Sequence, residues 1–346
     1  MLHRWRWWIV GLVSILAFVW VFILFQIFVP AEFETDPITL FISPGSSTRE
    51  IARRLHDGQL IKSPFFFTAY VKVFKFDRAL HAGEYDLDRS MSAAAIVRRL
   101  REVDGMAKLT SVTIPEGYSL KKIARLLESN GVVPAVDFLD YMAAAKPQLE
   151  KKFYFLEEVP TGNLEGYLFP DTYFFARGVP SAVVADSMLK QFEQKVIPVW
   201  KASGSYSGWT LHQILTLASL IEKEAEVPRE MTIISSVFHN RLRRGMMLAC
   251  DPTVMYALGE PNRSLVTFKD LRVNSIYNTY KYPGLPPTPI ASPGIKAIEA
   301  ALFPARTEYL FFVSNGDATH TFSKTFNDHA RRTREVQRIK YRSLNP

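Results

Sequence analysis

The sequence predicts an α+β protein carried on a single amino-terminal transmembrane helix. Three observations predict it. The run from Trp7 to Val29 is apolar and free of charge, a strand–turn–helix pattern occurs twice between residues 38 and 133, and helical periodicity later gives way to a hairpin pattern. With 346 residues there is chain enough for two or three compact units beyond an anchor. An apolar content of 48% and a charged content of 22% exclude a disordered chain. The net charge of +8 suits an anionic surface, polymer or membrane. A nucleic-acid partner is not expected, because neither zinc-finger spacing nor an RNP-type aromatic motif accompanies the charge.

The anchor comes first in the chain. A helix over residues 7–29 would cross about 30 Å of hydrocarbon. His3, Arg4 and Arg6 precede it, while Glu32, Glu34 and Asp36 follow. The positive-inside rule then keeps residues 1–6 cytoplasmic and puts everything after about Pro30 outside. Trp5, Trp7 and Trp8 suit the interfacial belt. A cleaved signal peptide is the alternative, but the run is long for such a segment and no A-x-A site follows it.

Between residues 38 and 133 the chain repeats itself. Phe41-Ile42-Ser43-Pro44-Gly45 leads to Ile51-Ala52-Arg53-Arg54-Leu55 and Leu60-Ile61, and Thr113-Ile114-Pro115-Glu116-Gly117 leads to Ile123-Ala124-Arg125-Leu126-Leu127 and Val132-Val133. Most of these pairs sit 72 positions apart. Each copy reads as a short strand, a glycine turn, an amphipathic helix and a second apolar segment. Such a unit is too small to bury much surface alone, so the two copies are expected to pack with the intervening residues 65–100. The pattern P-x-G-x-S-x-x-x-I-A-x-x-L resembles a LysM-type module, which holds N-acetyl sugars; a ligand-free βα motif is the equal alternative.

Further on, Glu165-Gly166-Tyr167-Leu168-Phe169-Pro170-Asp171-Thr172-Tyr173 is a Gly/Pro-punctuated loop of rings and carboxylates. It suits a sugar-binding surface, or a turn whose aromatics plug the core. From Thr210, Leu211, Leu215, Ala218 and Glu222 follow at four, three and four residues and share one helical face. Glu222 therefore ends an apolar stripe, where lost hydration favours its neutral, proton-donating form. Glu224 lies about 200° around the helix and cannot pair with it from one face. A solvated helix-end carboxylate is the plainer reading.

Pro228 suits the first turn of a further helix with Ile234, Val237, Phe238 and Leu242 inward and Gly245 as its stop. Arg241 either grips a substrate carboxylate bidentately or bridges to Glu226 or Glu230. Cys250 is the single cysteine, so no internal disulfide exists; as a nucleophile it lacks an evident base and reads as a plain small residue. Tyr277-Asn278-Thr279-Tyr280 and Gly284 to Gly294 form a proline-dense loop whose rings and amides can line a saccharide groove. Leu310 to Val313, Asn315-Gly316 and Thr319 to Ser323 read as a hairpin, and a basic helix through Arg331 to Arg342 as a solvated face. His320 and His329 lack zinc-ligand spacing, so no metal is expected.

L-A-S-L-I-E-K-E, S-V-F-H-N-R-L, D-P-T-V-M-Y, Y-N-T-Y and G-L-P-P-T-P-I-A-S-P-G occur in the order and spacing of the YceG-like, or MltG-type, endolytic murein transglycosylases, which this chain resembles. Residues 164–173 match that family's L-E-G-Y-L-F-P-D-T-Y. The resemblance implies an α+β YceG-like catalytic domain over residues 134–346 behind a LysM-like α+β region over 38–133. It makes Glu222 the catalytic residue and needs no cofactor. Substrate-binding candidates on the matching motifs are Glu165, Tyr167, Asp171, Asn240, Arg241, Asp251, Thr253, Tyr277, Asn278 and Tyr280. Ala249 and Cys250 depart from the family's usual glutamine and serine or threonine. The implied reaction cuts the MurNAc-β-1,4-GlcNAc bond of nascent glycan strands, leaves 1,6-anhydroMurNAc ends and terminates elongation. It implies a single-pass protein of the bacterial inner membrane with a periplasmic catalytic domain. Its partners would be peptidoglycan strands, inner-membrane lipid, and glycan polymerases and penicillin-binding proteins. A muramidase using Glu165 or Asp171 as second carboxylate, or an inactive wall-binding scaffold, are the alternatives.

Overall fold

Ser and Thr side chains begin many of the helices by accepting orphan backbone N–H groups. In the computed structural model, which describes residues 2–33, 35–42, 46–77, 79–102, 109–160, 162–204, 208–259 and 266–344, Ser47 and Glu50 form a capping box at α2 (Thr48–Asp57). Ser92 caps α4 (Ala93–Arg101), after α3 (Pro64–Val73) has started on a proline. Ser119 caps α5 (Leu120–Ser129), which is followed by α6 (Ala135–Ala144) and the short α7 (Lys146–Leu149). The 22-residue α8 (Ser181–Ala202) precedes α9 (Leu211–Glu224), where Thr210 and Gln213 make a second capping box. Then come α10 (Met231–Arg243), α11 (Asp251–Ala257), α12 (Ile295–Leu302) and α13 (Phe326–Leu344).

The chain divides into two compact units, residues 1–111 with 174–179, and residues 112–173 with 180–346. In the first, β1 (Pro37–Ile42) pairs antiparallel with β2 (Gly83–Asp88), with Phe41 opposite Glu84. Its core gathers Ile42, Ile51, Leu55, Phe67, Val71, Leu87, Ile96 and Leu100. The first repeat copy and the intervening segment supply that core together. The second copy does not join them: Val112, Ile114, Ile123, Leu127, Val132 and Val133 are buried in the second unit. The expected packing of both copies around residues 65–100 is thus corrected. Each copy does take its anticipated local form, except that Ser43, Pro44 and Gly45 lie outside the described residues, as does Glu34.

The amino-terminal helix α1 (Leu2–Phe28) contains a stretch, Gly11–Phe28, long and apolar enough to cross a membrane. Its side chains at Leu12, Ile15, Phe18 and Val21 are exposed. The helix begins at Leu2 rather than at Trp7, so the polar leader is helical; the side chains of Trp5 and Trp7 lie outside those described.

In the second unit α9 is a core helix, with every residue from Ile214 to Ile221 buried. The apolar stripe seen in the sequence is one part of an all-round burial, because α10, α11 and α12 pack against α9 from several sides. Each fully buried leucine or isoleucine there contributes roughly 1.5–3 kcal/mol. A 3-10 turn at Pro228–Glu230 leads into α10, and Gly245 stops it in the left-handed region. β3 (Phe311–Ser314) and β4 (His320–Ser323) form the anticipated hairpin, Phe312 opposite Phe322. Its loop is wider than a two-residue turn, closed by Asn315 N–H donating to Thr319 O at 2.8 Å.

Candidate active site

Three polar side chains of α9 fasten it to the proline-dense loop. His212 Nε2 meets Pro287 O at 2.9 Å, Ser219 Oγ accepts from Ile290 N at 3.0 Å, and Glu222 Oε2 accepts from Gly294 N at 3.0 Å. They lie seven and then three residues apart, close to one helical face. The same loop is stitched to the turn after Ile114. Gly117 N donates to Ser292 O and Ser292 N to Tyr118 O, both at 2.8 Å. This turn brings Glu116 over Gly294, where a Cβ would stand 1.9 Å from Glu116 Oε1. Gly117 itself has φ +73°, and a Cβ there would lie 3.6 Å from Glu222 Cγ.

Glu222 is therefore half-buried in the last turn of α9 with one oxygen held by a backbone N–H. Its Oε1 has no hydrogen bond among the described residues and is not sealed in. Burial first, and then the charge of Glu116, push this carboxyl above its ordinary value against the opposing pull of Gly294 N–H and Lys223. The carbonyl end of a helix adds the same bias toward the neutral form. A protonated carboxyl with one oxygen fixed and the other free can give a proton to an oxygen placed against it.

The other carboxylates named from the sequence are occupied. Glu165 is 3% exposed, accepting from Leu120 N at 2.7 Å and from Tyr256 Oη at 3.2 Å, and burial pushes it up to about 7. Asp171 spends Oδ1 on Thr172 N and Oδ2 on Gln191 Nε2, at 2.7 and 2.6 Å. Both brace the fold, so neither fits the part of a second acid. Glu224 faces away from Glu222 toward Cys250, and burial pushes it, too, up to about 7.

A family model described as the YceG-like family matches residues 40–335. The chain belongs to the YceG-like family. It is 35% identical over 305 residues to an endolytic murein transglycosylase of Bacillus subtilis, covering 84% of this chain and 82% of that one. It is 31% identical over 300 residues to the endolytic murein transglycosylase of Streptococcus pneumoniae, covering 80% of this chain and 54% of that longer relative. A crystal structure of a yceG-like protein from Listeria monocytogenes matches at a TM-score of 0.59 and 36% identity, over 86% of this chain and 99% of that one.

Several YceG-like motif residues turn inward. Tyr167 is buried with its hydroxyl 3.0 Å from His212 Nδ1, so its ring plugs the core. Asn240 Nδ2 donates to the Thr307 and Tyr309 carbonyls, at 3.0 and 2.8 Å. Arg241 does not make the expected bridge to a carboxylate of its own chain. Its Nε donates to Leu310 O at 2.6 Å and its Nη1 to Leu248 O at 2.5 Å, so it clamps backbone and binds neither Glu226 nor Glu230. Asn278 donates to the Leu271 and Val273 carbonyls, both at 2.9 Å, and Thr253 sits buried 2.9 Å from Thr279 Oγ1. Tyr277, Tyr280 and Asp251 keep surface. Tyr277 Oη lies 2.9 Å from Thr288 Oγ1, and Tyr280 Oη donates to Asp251 Oδ1 at 2.5 Å. Ala249 takes the left-handed φ of 49°, which non-glycine residues rarely adopt. Next to it Cys250 is buried, and that burial, with the Glu224 charge, raises its thiol away from nucleophilic chemistry.

A cavity of about 1220 Å³ lined by Trp209, His239, Asn240 and Arg243 among others does not take in Glu222. What sequence reading missed is Glu116, the Gly294 N–H and the nearby lysines. Lys223 Nζ lies 3.9 Å from where a Gly117 Cβ would stand, and Lys122 is held below its ordinary value by burial and then by the charge of Lys223.

Proposed function

We propose that this chain is a membrane-anchored endolytic murein transglycosylase in which Glu222 is the acid and then the base. The observation that carries the reading is the divided carboxyl of Glu222, one oxygen on Gly294 N–H and the other open. Neutral Glu222 protonates the glycosidic oxygen of the MurNAc-β-1,4-GlcNAc bond as the C1–O bond breaks. The resulting carboxylate takes the proton from the muramyl C6 hydroxyl as its oxygen closes on C1 to give the 1,6-anhydro ring. One group suffices because substrate supplies its own nucleophile, and the intramolecular attack gains from high effective molarity. Lys122 and Lys223, like charges side by side near Glu222, suit the lactyl or peptide carboxylate that Arg241 is not free to hold.

The α1 helix supports single-pass anchoring at the bacterial inner membrane, with residues 1–6 cytoplasmic, residues 7–29 in the membrane and the catalytic domain periplasmic. A tethered site reaches strands emerging from synthesis, which would bring glycan polymerases and penicillin-binding proteins near. The strand–turn–helix copies, LysM-like in sequence, are proposed to bind glycan. Hydrolysis is the competing chemistry, and what favours it is Glu116, a carboxylate close enough to act on Glu222.

One experiment separates these readings. The full chain incubated with purified sacculi is expected to release anhydromuramyl ends, and Glu222→Gln to lose nearly all turnover while still sedimenting with sacculi. Reducing ends would establish a muramidase, and sustained turnover in Glu222→Gln would remove Glu222 from the chemistry.

A further inference from the structure

The helix α3, read P-F-F-F-T-A-Y-V-K-V, buries only Phe67 and Val71. Phe65 is 72% exposed, Val73 73% and the following Phe74 56%, more apolar surface than a water-facing ten-residue helix normally shows. The helix runs beside the end of α1. Phe66 packs edge-on to Phe22 with ring centroids 5.7 Å apart, and Tyr70 packs on Phe28 at 6.3 Å. Lys62 Nζ stands 3.5 Å over the Phe25 ring. Phe22 lies six residues before Phe28, which along a helix is about 9 Å. If α1 spans the bilayer to Phe28, the Phe66 end of α3 sits that far below the end of the span. Helices that lie in the membrane interface bury their apolar side to about 5–10 Å.

The flanking charges agree. Between α2 and α3 runs a groove of about 470 Å³ lined by Pro64, Phe65, Thr68 and Ala69, with Arg49, Arg53 and Lys72 around it. None of those three cations has an ion-pair partner among the described residues. An apolar floor with a cationic rim, continuous with a membrane span, has the chemistry of a phospholipid site.

We propose that the α2–α3 face of the first unit lies on the outer leaflet of the membrane and takes an anionic phospholipid headgroup between Arg49, Arg53 and Lys72. This rests on α1 being a retained anchor. The face fixes the first unit against the bilayer instead of leaving it on a free tether, with Phe65, Val73 and Phe74 immersed and Lys62 reaching back to the headgroups.

The test uses the full chain, carrying Phe65→Cys labelled with an environment-sensitive fluorophore, in vesicles of phosphatidylcholine mixed with phosphatidylglycerol. Buried Cys250 does not compete for the label. The expected result is quenching by nitroxide lipids but not by aqueous iodide, and stronger quenching by headgroup-labelled phosphatidylglycerol than by phosphatidylcholine. The triple variant Arg49→Glu, Arg53→Glu, Lys72→Glu is expected to abolish that preference. Quenching by iodide alone, in protein that resists alkaline carbonate extraction, would overturn the proposal and leave the anchor standing. Protection from both quenchers would mean that a second copy covers the face, and equal quenching by the two lipids would remove the headgroup site. Extraction of the chain by carbonate would take the anchor and the proposal together.

Discussion

Replacing Glu165 by Gln separates a structural brace from a catalytic acid. Glu165 is buried, and its folded-state value of about 7 stands above the ordinary 4.5 because burial disfavours the charged form. Folding therefore takes up a proton in the interval between them. The stability this group allows is fully present below about 4.5 and is lost as pH rises to about 7. The interval of about 2.5 units, at about 1.4 kcal/mol each, is worth about 3 kcal/mol. Glutamine keeps an oxygen for Leu120 N–H and meets Tyr256 Oη with an N–H, so that the hydroxyl, which donates to Glu165 Oε2, accepts in the variant. Urea unfolding of both proteins at about pH 5 and about pH 8 should then show near-equal stability at the lower pH and an advantage of about 3 kcal/mol for Glu165→Gln at the higher. Other groups, Glu224 among them, cancel in the difference. Murein turnover should persist. A stability difference that does not change with pH, or loss of turnover in a folded Glu165→Gln protein, would refute the reasoning.

Three further substitutions test the site and its frame. Glu116→Gln removes a charge that raises Glu222, so the alkaline limb of the kcat/KM profile, where the acid loses its proton, should move to lower pH with anhydro products unchanged. Loss of products in that variant would instead give Glu116 a direct part. Gly166→Ala forces a left-handed φ of 87° on alanine and sets its Cβ 2.5 Å from Pro289 Cβ, so thermal unfolding should show a loss of about 3 kcal/mol. Arg241→Met strips donors from the Leu248 and Leu310 carbonyls, which should cost about 2–4 kcal/mol in urea unfolding while KM for murein stays within about twofold. A large rise in KM at unchanged stability would restore the substrate clamp.

The strongest local patterns were legible in the chain itself. The apolar amino-terminal run, the hairpin around Asn315 and, outside residues 43–45, the repeated strand–turn–helix depend on residues a few positions apart and took the anticipated local form, while the caps at Ser119 and Thr210, equally local, were not anticipated. The candidate site was legible in part, since Glu222 ends a helical face and sits half-buried there. Motif residues were harder to read, because a polar side chain facing substrate and one satisfying a buried carbonyl have the same letter. Arg241, Asn240 and Asn278 are of the second kind. Asn278 bonds carbonyls five and seven positions away, and even so its sequence gave no sign of that.

By itself, then, the sequence determined the long apolar amino-terminal run, the helix that ends at Glu222 and the late hairpin, which family the motifs point to, and which glutamate to watch. Tertiary structure alone decided the environment of that glutamate. Glu116, Gly294 and Glu222 come from three segments, 72 residues separating the last two, and no periodicity along the chain encodes their meeting. It decided also that the second repeat copy joins the second unit, because burial is a property of what packs on a segment rather than of the segment's own pattern.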